Sequence, residues 1–211
     1  MLPEFYWGKV VDNEDPEGLH RVRLSVQDEG KEELTRWIPV MSSFTGEETG
    51  VSLLPDINDQ VLVTSVNDKG DKYVVIGSVW SDDIAPPETG ENSGAELNQD
   101  GENSLKFIKS RAGSQLIFDD SEGAEKIQLL SPDGKSRLEL LVADELFSLD
   151  TEKDLSMGAK GEIAIQAEKI MISSKKKVTI STEEYQVSAK KAFKINANKD
   201  MGIEGSGLSI N

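Results

Sequence analysis

One imidazole, that of His20, and no thiol stand among the 211 residues. Hydrolysis of the serine type would need that imidazole beside a nucleophilic Ser and an orienting carboxylate. His20 instead opens an alternating stretch that runs to Val26, next to Arg21, so no catalytic residue is expected. The absence of Cys removes thiol catalysis, a disulfide framework and Cys-ligated zinc, and is compatible with any redox compartment. A single His removes most His-built metal sites. The acidic groups Asp12/Glu14/Asp15, Asp100/Glu102 and Asp119/Asp120 supply the oxygen ligands Ca²⁺ takes, but none has the full EF-hand spacing, and Pro16 stands where that motif needs Asp or Asn. They read as solvated turns, and neither a metal nor a cofactor is expected.

Charge narrows the partners. Lys plus Arg number 23 against 39 Asp plus Glu, a net charge of -16. Nucleic-acid binding rests on neutralising phosphates with basic side chains, so no nucleic-acid partner is expected. The charge is also segregated: residues 1–167 hold 15 basic and 34 acidic side chains, whereas residues 168–200 hold 8 and 4. Lys175-Lys176-Lys177 and Lys190-Lys191 fall between apolar pairs, where solvation and protection against stray strand pairing account for them. Contact with anionic lipid is the sharper reading. No run approaches the ~18 apolar residues of a membrane helix. Met1-Leu2-Pro3-Glu4-Phe5 lacks the basic start and apolar core of a signal peptide, so export by that route is not expected.

The elements that carry these residues are strands. Over residues 1–80 apolar and polar side chains alternate in five short runs: Phe5 to Val11, His20 to Val26, Thr35 to Val40, Gln60 to Val66 and Lys72 to Val79. Period two marks half-buried strands, and five of them in a short domain suit a closed OB barrel, which leaves no free edge. Trp7, Trp37 and Trp80 are expected as strand-end and core aromatics of that barrel. Residues 81–103, with Pro86-Pro87 and almost no large apolar side chain, read as a linker.

Residues 104–145 then carry apolar pairs that start 11 residues apart, at Leu105/Phe107, Leu116/Phe118, Ile127/Leu129 and Leu138/Leu140. These are expected to be successive hairpin strands. Over residues 146–211 the step tightens to seven or eight: Phe147/Leu149, Leu155/Met157, Ile163/Ile165, Ile170/Ile172, Val178/Ile180, Tyr185/Val187, Phe193/Ile195, Met201/Ile203 and Leu208/Ile210. Each unit has two inward side chains and cannot bury them without neighbours. One short strand plus one tight corner per step is the geometry of a β-helix of triangular cross-section. The fold class expected is therefore all-β: a small OB barrel followed by an intertwined, triple-stranded β-helix. If three chains interleave, nine strands at a sheet spacing of about 4.8 Å make a rod on the order of 43 Å long.

Three segments resemble the spike proteins of contractile injection machines, namely phage baseplate assembly protein V, VgrG and the spikes of extracellular phage-tail-like particles. Phe5-Tyr6-Trp7-Gly8-Lys9-Val10-Val11-Asp12-Asn13, with Asp15-Pro16-Glu17-Gly18-Leu19-His20-Arg21-Val22-Arg23-Leu24, is similar to the opening of that family's OB domain. Trp37-Ile38-Pro39-Val40, Leu54 to Val63 and Val74 to Trp80 are similar to its later strands, and Lys109 to Asp120 to the beginning of its β-prism shaft.

The resemblance implies a structural homotrimer at the end of a tail tube, seated on a baseplate hub protein, with its shaft pointing at the target membrane, which it punctures. Effector cargo is a further implied partner, and assembly would take place in the bacterial cytoplasm. The hub-like domain that precedes the barrel in VgrG is missing here, as are a lysozyme domain and the terminal His-x-His iron site of some phage members. The expected way to close the tip is a separate PAAR-type protein bound to Gly205, Ser206, Gly207, Leu208, Ser209, Ile210 and Asn211. A trimeric fibre that binds a cell-surface receptor is the alternative, and it would be expected to end in a globular head.

Overall fold

A computed structural model describes residues 5–28, 31–66, 72–89 and 101–207, and among them every regular element is a strand. The chain divides into two compact units, Met1–Ser156 and Met157–Asn211.

The first unit begins with the barrel. Its strands are β1 (Phe5–Asp12), β2 (Arg21–Asp28), β3 (Lys31–Leu34), β4 (Ile38–Pro39), β7 (Gln60–Ser65) and β8 (Tyr73–Ser78), while β5 (Thr45–Gly46) and β6 (Thr49–Gly50) form a separate small hairpin. The main sheet runs β3-β2-β1-β7-β8, all antiparallel. Closure comes from β4, which pairs with β2, while the adjoining Val40 bridges Val75 of β8 in parallel and Met41 N donates to Val75 O at 2.8 Å. Of the third run of the sequence, Thr35 to Val40, only Ile38–Pro39 is thus strand, as β4; β3 precedes the run, and Thr35 to Trp37 lie between the two. Thr35 replaces the missing ladder locally: its hydroxyl accepts from Leu24 N at 2.9 Å, and its own N donates to Leu24 O at 2.9 Å.

Alternation fills the barrel from one face of each strand: Val10, Val22, Leu24, Ile38, Val61, Val63 and Val75, with Tyr6 and Tyr73 in edge-to-face contact at 5.9 Å. Gly8 belongs to the same inner row, because a Cβ there would lie 2.9 Å from a Leu24 methyl carbon. The tryptophans do not enter this core. Trp7 and Trp80 are exposed, and Trp37 lies half-buried beneath the Arg23 guanidinium, 6.0 Å from its ring centre. Aliphatic side chains already fill a barrel this narrow.

The same unit continues as a meander of β9 (Leu105–Lys109), β10 (Gln115–Asp119), β11 (Lys126–Leu130), β12 (Ser136–Leu141) and β13 (Leu146–Thr151), each antiparallel to the next. Phe147 and Leu149, which the sequence reading assigned to the needle, lie on β13 opposite Leu140 and Leu138. Its connections are short turns. Ser110 and Ser114 close the first across Gly113, whose φ of 98° and 3.2 Å approach to Pro132 would resist a side chain. Barrel and meander touch directly. Trp80 stacks on Phe107 with centroids 6.3 Å apart, Arg111 reaches Asp56 at 3.1 Å, and Lys109 Nζ donates to Glu88 O. Within the expected linker, Ser81 and Ile84 exchange backbone hydrogen bonds and Thr89 is buried, whereas residues 90–100 lie outside the described residues.

The second unit has a different character. Among its described residues, 157–207, there is no strand and no backbone–backbone hydrogen bond, and every residue is exposed. The backbone bends at 160–161, 168, 175–176, 183, 190–191, 198–199 and 206. Those corners keep the seven-to-eight-residue step of the apolar pairs and fall between them.

Candidate functional site

The meander presents two unlike faces. Directly opposed residues in an antiparallel ladder share a face, so the registers assemble two adjacent rows. One is Ile108, Leu116, Leu129, Leu138 and Leu149; the other is Lys106, Phe118, Ile127, Leu140 and Phe147. Nine of these ten side chains are apolar; Leu116 is half-buried and the other eight are exposed. The reverse face holds the polar partners. Gln128 Nε2 donates to Glu139 Oε1 at 2.6 Å, Arg137 lies 3.3 Å from Glu139 and 3.6 Å from Asp150, and Lys126 lies 3.7 Å from Asp119. The Ser148 hydroxyl, and after it the Arg137 charge, hold the Asp150 carboxyl below the usual aspartate range.

Only the first apolar pair, evenly spaced with the others, lies off this face. Leu105 faces Asp119, and Phe107 faces Ile117, the one apolar side chain buried in the meander (1% exposed). The Ser110–Ser114 turn shifts that register by one residue, and a shift of one residue reverses every side chain of the strand. Ile108 therefore replaces Phe107 on the apolar face. The sequence reading missed Ile108, because equal spacing of pairs cannot reveal a one-residue slip.

Further along, the expected shaft-core residues Leu155, Met157, Ile163, Ile165, Ile170, Ile172, Val178, Ile180, Val187, Phe193, Ile195, Met201 and Ile203 are all exposed, Ile172 to 80%. The chain by itself buries none of them. Gly205, Ser206 and Gly207 of the expected tip are exposed as well, and Leu208, Ser209, Ile210 and Asn211 lie outside the described residues.

Residues of chemical interest elsewhere are occupied by their neighbours. His20 stands in a left-handed turn, with φ of 57°, just before β2 rather than on it, and its Nε2 lies 2.7 Å from Ser52 Oγ. Among the described residues no carboxylate completes that pair. Of the acidic groups, Asp15 is tied to Arg21, Asp12 accepts from Glu14 N, Asp119 accepts from Ser121, and Asp120 lies 2.6 Å from Lys106. Among the described residues no group of three His, Asp or Glu side chains is placed to hold a metal ion.

What the molecule offers is thus a closed barrel joined to a sheet with one bare apolar face and, among the described residues, a repeat with none of its apolar pairs covered. Residues 6–80 match the family described as the Type VI secretion system/phage-baseplate injector OB domain. This is the segment in which the barrel closes. Comparison with curated proteins found no match to the chain. An injector OB domain points to a structural part in a contractile injection system, within a secretion apparatus or phage-tail-like particle and among its baseplate components.

Proposed function

We propose that this protein is the spike of such a system: a homotrimer in which the meanders turn their apolar faces inward and the repeats beyond β13 interleave as a triple-stranded β-helix. The supporting observation is the seven-to-eight-residue repeat beyond β13, whose described apolar pairs all lie open and whose described backbone makes no ladder within its own chain. Backbone polar groups and apolar side chains both demand partners, and two further copies supply both at once. Taking an exposed Leu, Ile or Phe to full burial stabilises by roughly 1.5–3 kcal/mol. For nine side chains that are about half exposed this comes to on the order of 10 kcal/mol per chain, comparable with the stability of a whole domain.

In this reading the barrel sits on a baseplate hub protein at the end of the tail tube, and the needle leads through the target envelope with transient membrane contact. A PAAR-type protein covers the tip, and effector cargo travels with the spike. The particle is assembled in the bacterial cytoplasm, and the part played is mechanical rather than enzymatic. Light scattering of the purified chain should give a mass of three copies. A folded, stable monomer at micromolar concentration would refute the reading, and imaging should find the chain at the end of a contractile tube.

A further inference from the structure

We propose that residues 168–200 form a lysine band that binds anionic lipid headgroups. The proposal rests on the needle reading above and gives its membrane contact a chemistry. All five arginines lie at or before Arg137, so the positive charge of this segment is carried by lysine alone, eight of them against four carboxylates. In the first unit Lys106, Lys126 and Lys135 each lie within ion-pairing distance of a carboxylate. Among the described residues none of the eight lysines of the band does, and all are exposed.

Their positions are built rather than scattered. Lys175, Lys176, Lys190, Lys191 and Lys199 stand at the bends of the repeat. At the first of these corners Ser174 fixes the turn: its hydroxyl donates to Lys177 O at 3.0 Å and accepts from Lys177 N at 3.2 Å. Corners are the outermost points of a triangular shaft, so three chains would ring it with lysine ammonium groups.

Two further features choose a bilayer over another polyanion. Met171 lies between Ile170 and Ile172, and is 76% exposed. If that pair faces the axis, Met171 faces outward, the one large apolar side chain at the centre of any apolar pair beyond β13. Apolar insertion together with lysine attraction is how interfacial segments hold a charged membrane surface. The band covers about four repeats, roughly 20 Å at the sheet spacing, more than twice the Debye length of about 8 Å at physiological salt. The acidic residues outside it are therefore screened from its centre. A nucleic acid would also be repelled by the rest of the chain, residues 1–167, with net charge -19.

The full-length protein should co-sediment with phosphatidylglycerol/phosphatidylethanolamine vesicles in 0.1 M NaCl, lose most of that binding in 0.5 M NaCl, and ignore phosphatidylcholine vesicles. Each lysine engaged is worth about fivefold in affinity. The triple variant Lys175→Gln, Lys176→Gln, Lys177→Gln should therefore bind at least about a hundredfold more weakly, the loss for the three lysines of one chain, while keeping the trimer mass. Met171→Ser should weaken binding without changing its salt dependence. Undiminished vesicle binding by a trimeric triple variant, or equal binding to neutral vesicles, would overturn the proposal. Duplex DNA that displaces the vesicles at equal phosphate concentration would overturn the lipid assignment in favour of any polyanion. A monomeric mass would overturn the needle reading itself, and this proposal with it.

Discussion

At the loop between β1 and β2 a single carboxylate, only 4% exposed, gathers the donors that hold the turn. Asp15 accepts from the backbone N of Glu17 at 3.1 Å, Leu19 at 2.9 Å and Arg21 at 3.3 Å, and from the Arg21 guanidinium at 2.9 and 2.6 Å. The guanidinium first, and the backbone donors with it, hold the Asp15 carboxyl far below the usual aspartate range, and the guanidinium is in turn held more firmly protonated. A depressed carboxyl contributes stability above its unfolded pKa and loses it as acid protonates the folded form. The latch should thus act fully at neutral pH and weaken as pH falls below about 4. Asp15→Asn should melt below the wild type at pH 7, and the gap between the two should narrow by pH 3. A gap of constant size across that range would mean that the carboxylate charge is not what holds the loop. Among Asp12, Glu14 and Asp15, spacing revealed a turn but not which carboxylate closes it, because the partner lies six residues along the chain and across the turn.

At the scale of elements, period-two alternation located the barrel strands, since burying one face of a strand writes itself directly into the sequence. It could not show that β3 precedes the third run, that only Ile38–Pro39 of that run is strand while the Thr35 side chain substitutes for ladder bonds, or that β13 completes the meander. Phe147/Leu149 repeats the same apolar-x-apolar pattern whether its neighbour is β12 or another chain. In the second unit the corners coincide with the sequence period, whereas in the proposed trimer the covering of the pairs is a property of three chains and cannot be read from one. Inward and outward positions nevertheless make separate predictions. In the proposed trimer, Ile165→Asp or Ile172→Asp would set three carboxylates around a dry axis, each unpaired buried charge costing several kcal/mol. Such a variant should fail to assemble or melt far below the wild type. Ala164→Asp, on the opposite side of the same strand, should assemble normally. If Ile165→Asp kept the wild-type melting temperature, Ile165 would point outward and the register would be reversed.

At the scale of the whole molecule, a spike must keep its strands in register while its tip holds another protein. Gly202, Gly205, Ser206 and Gly207 make the last described repeat far less bulky than those before it, so three chains can approach closely there with their backbone edges accessible. A conical tip protein of the PAAR type would recognise those edges by adding strands to them, gaining main-chain hydrogen bonds where side chains are small. In the proposed trimer, the threefold axis would give one tip to three chains. Stability and tip binding are then separable, because in a linear repeat each layer contacts only its neighbours. Deleting residues 205–211 removes the Leu208/Ile210 pair and leaves eight of the nine pairs in place. The truncated protein should retain the trimer mass and nearly the same melting temperature, yet fail to retain the tip protein in a pull-down. Undiminished capture by the truncated trimer would show that the tip docks on another surface, and loss of the trimer would show that these residues hold the shaft together rather than its cap.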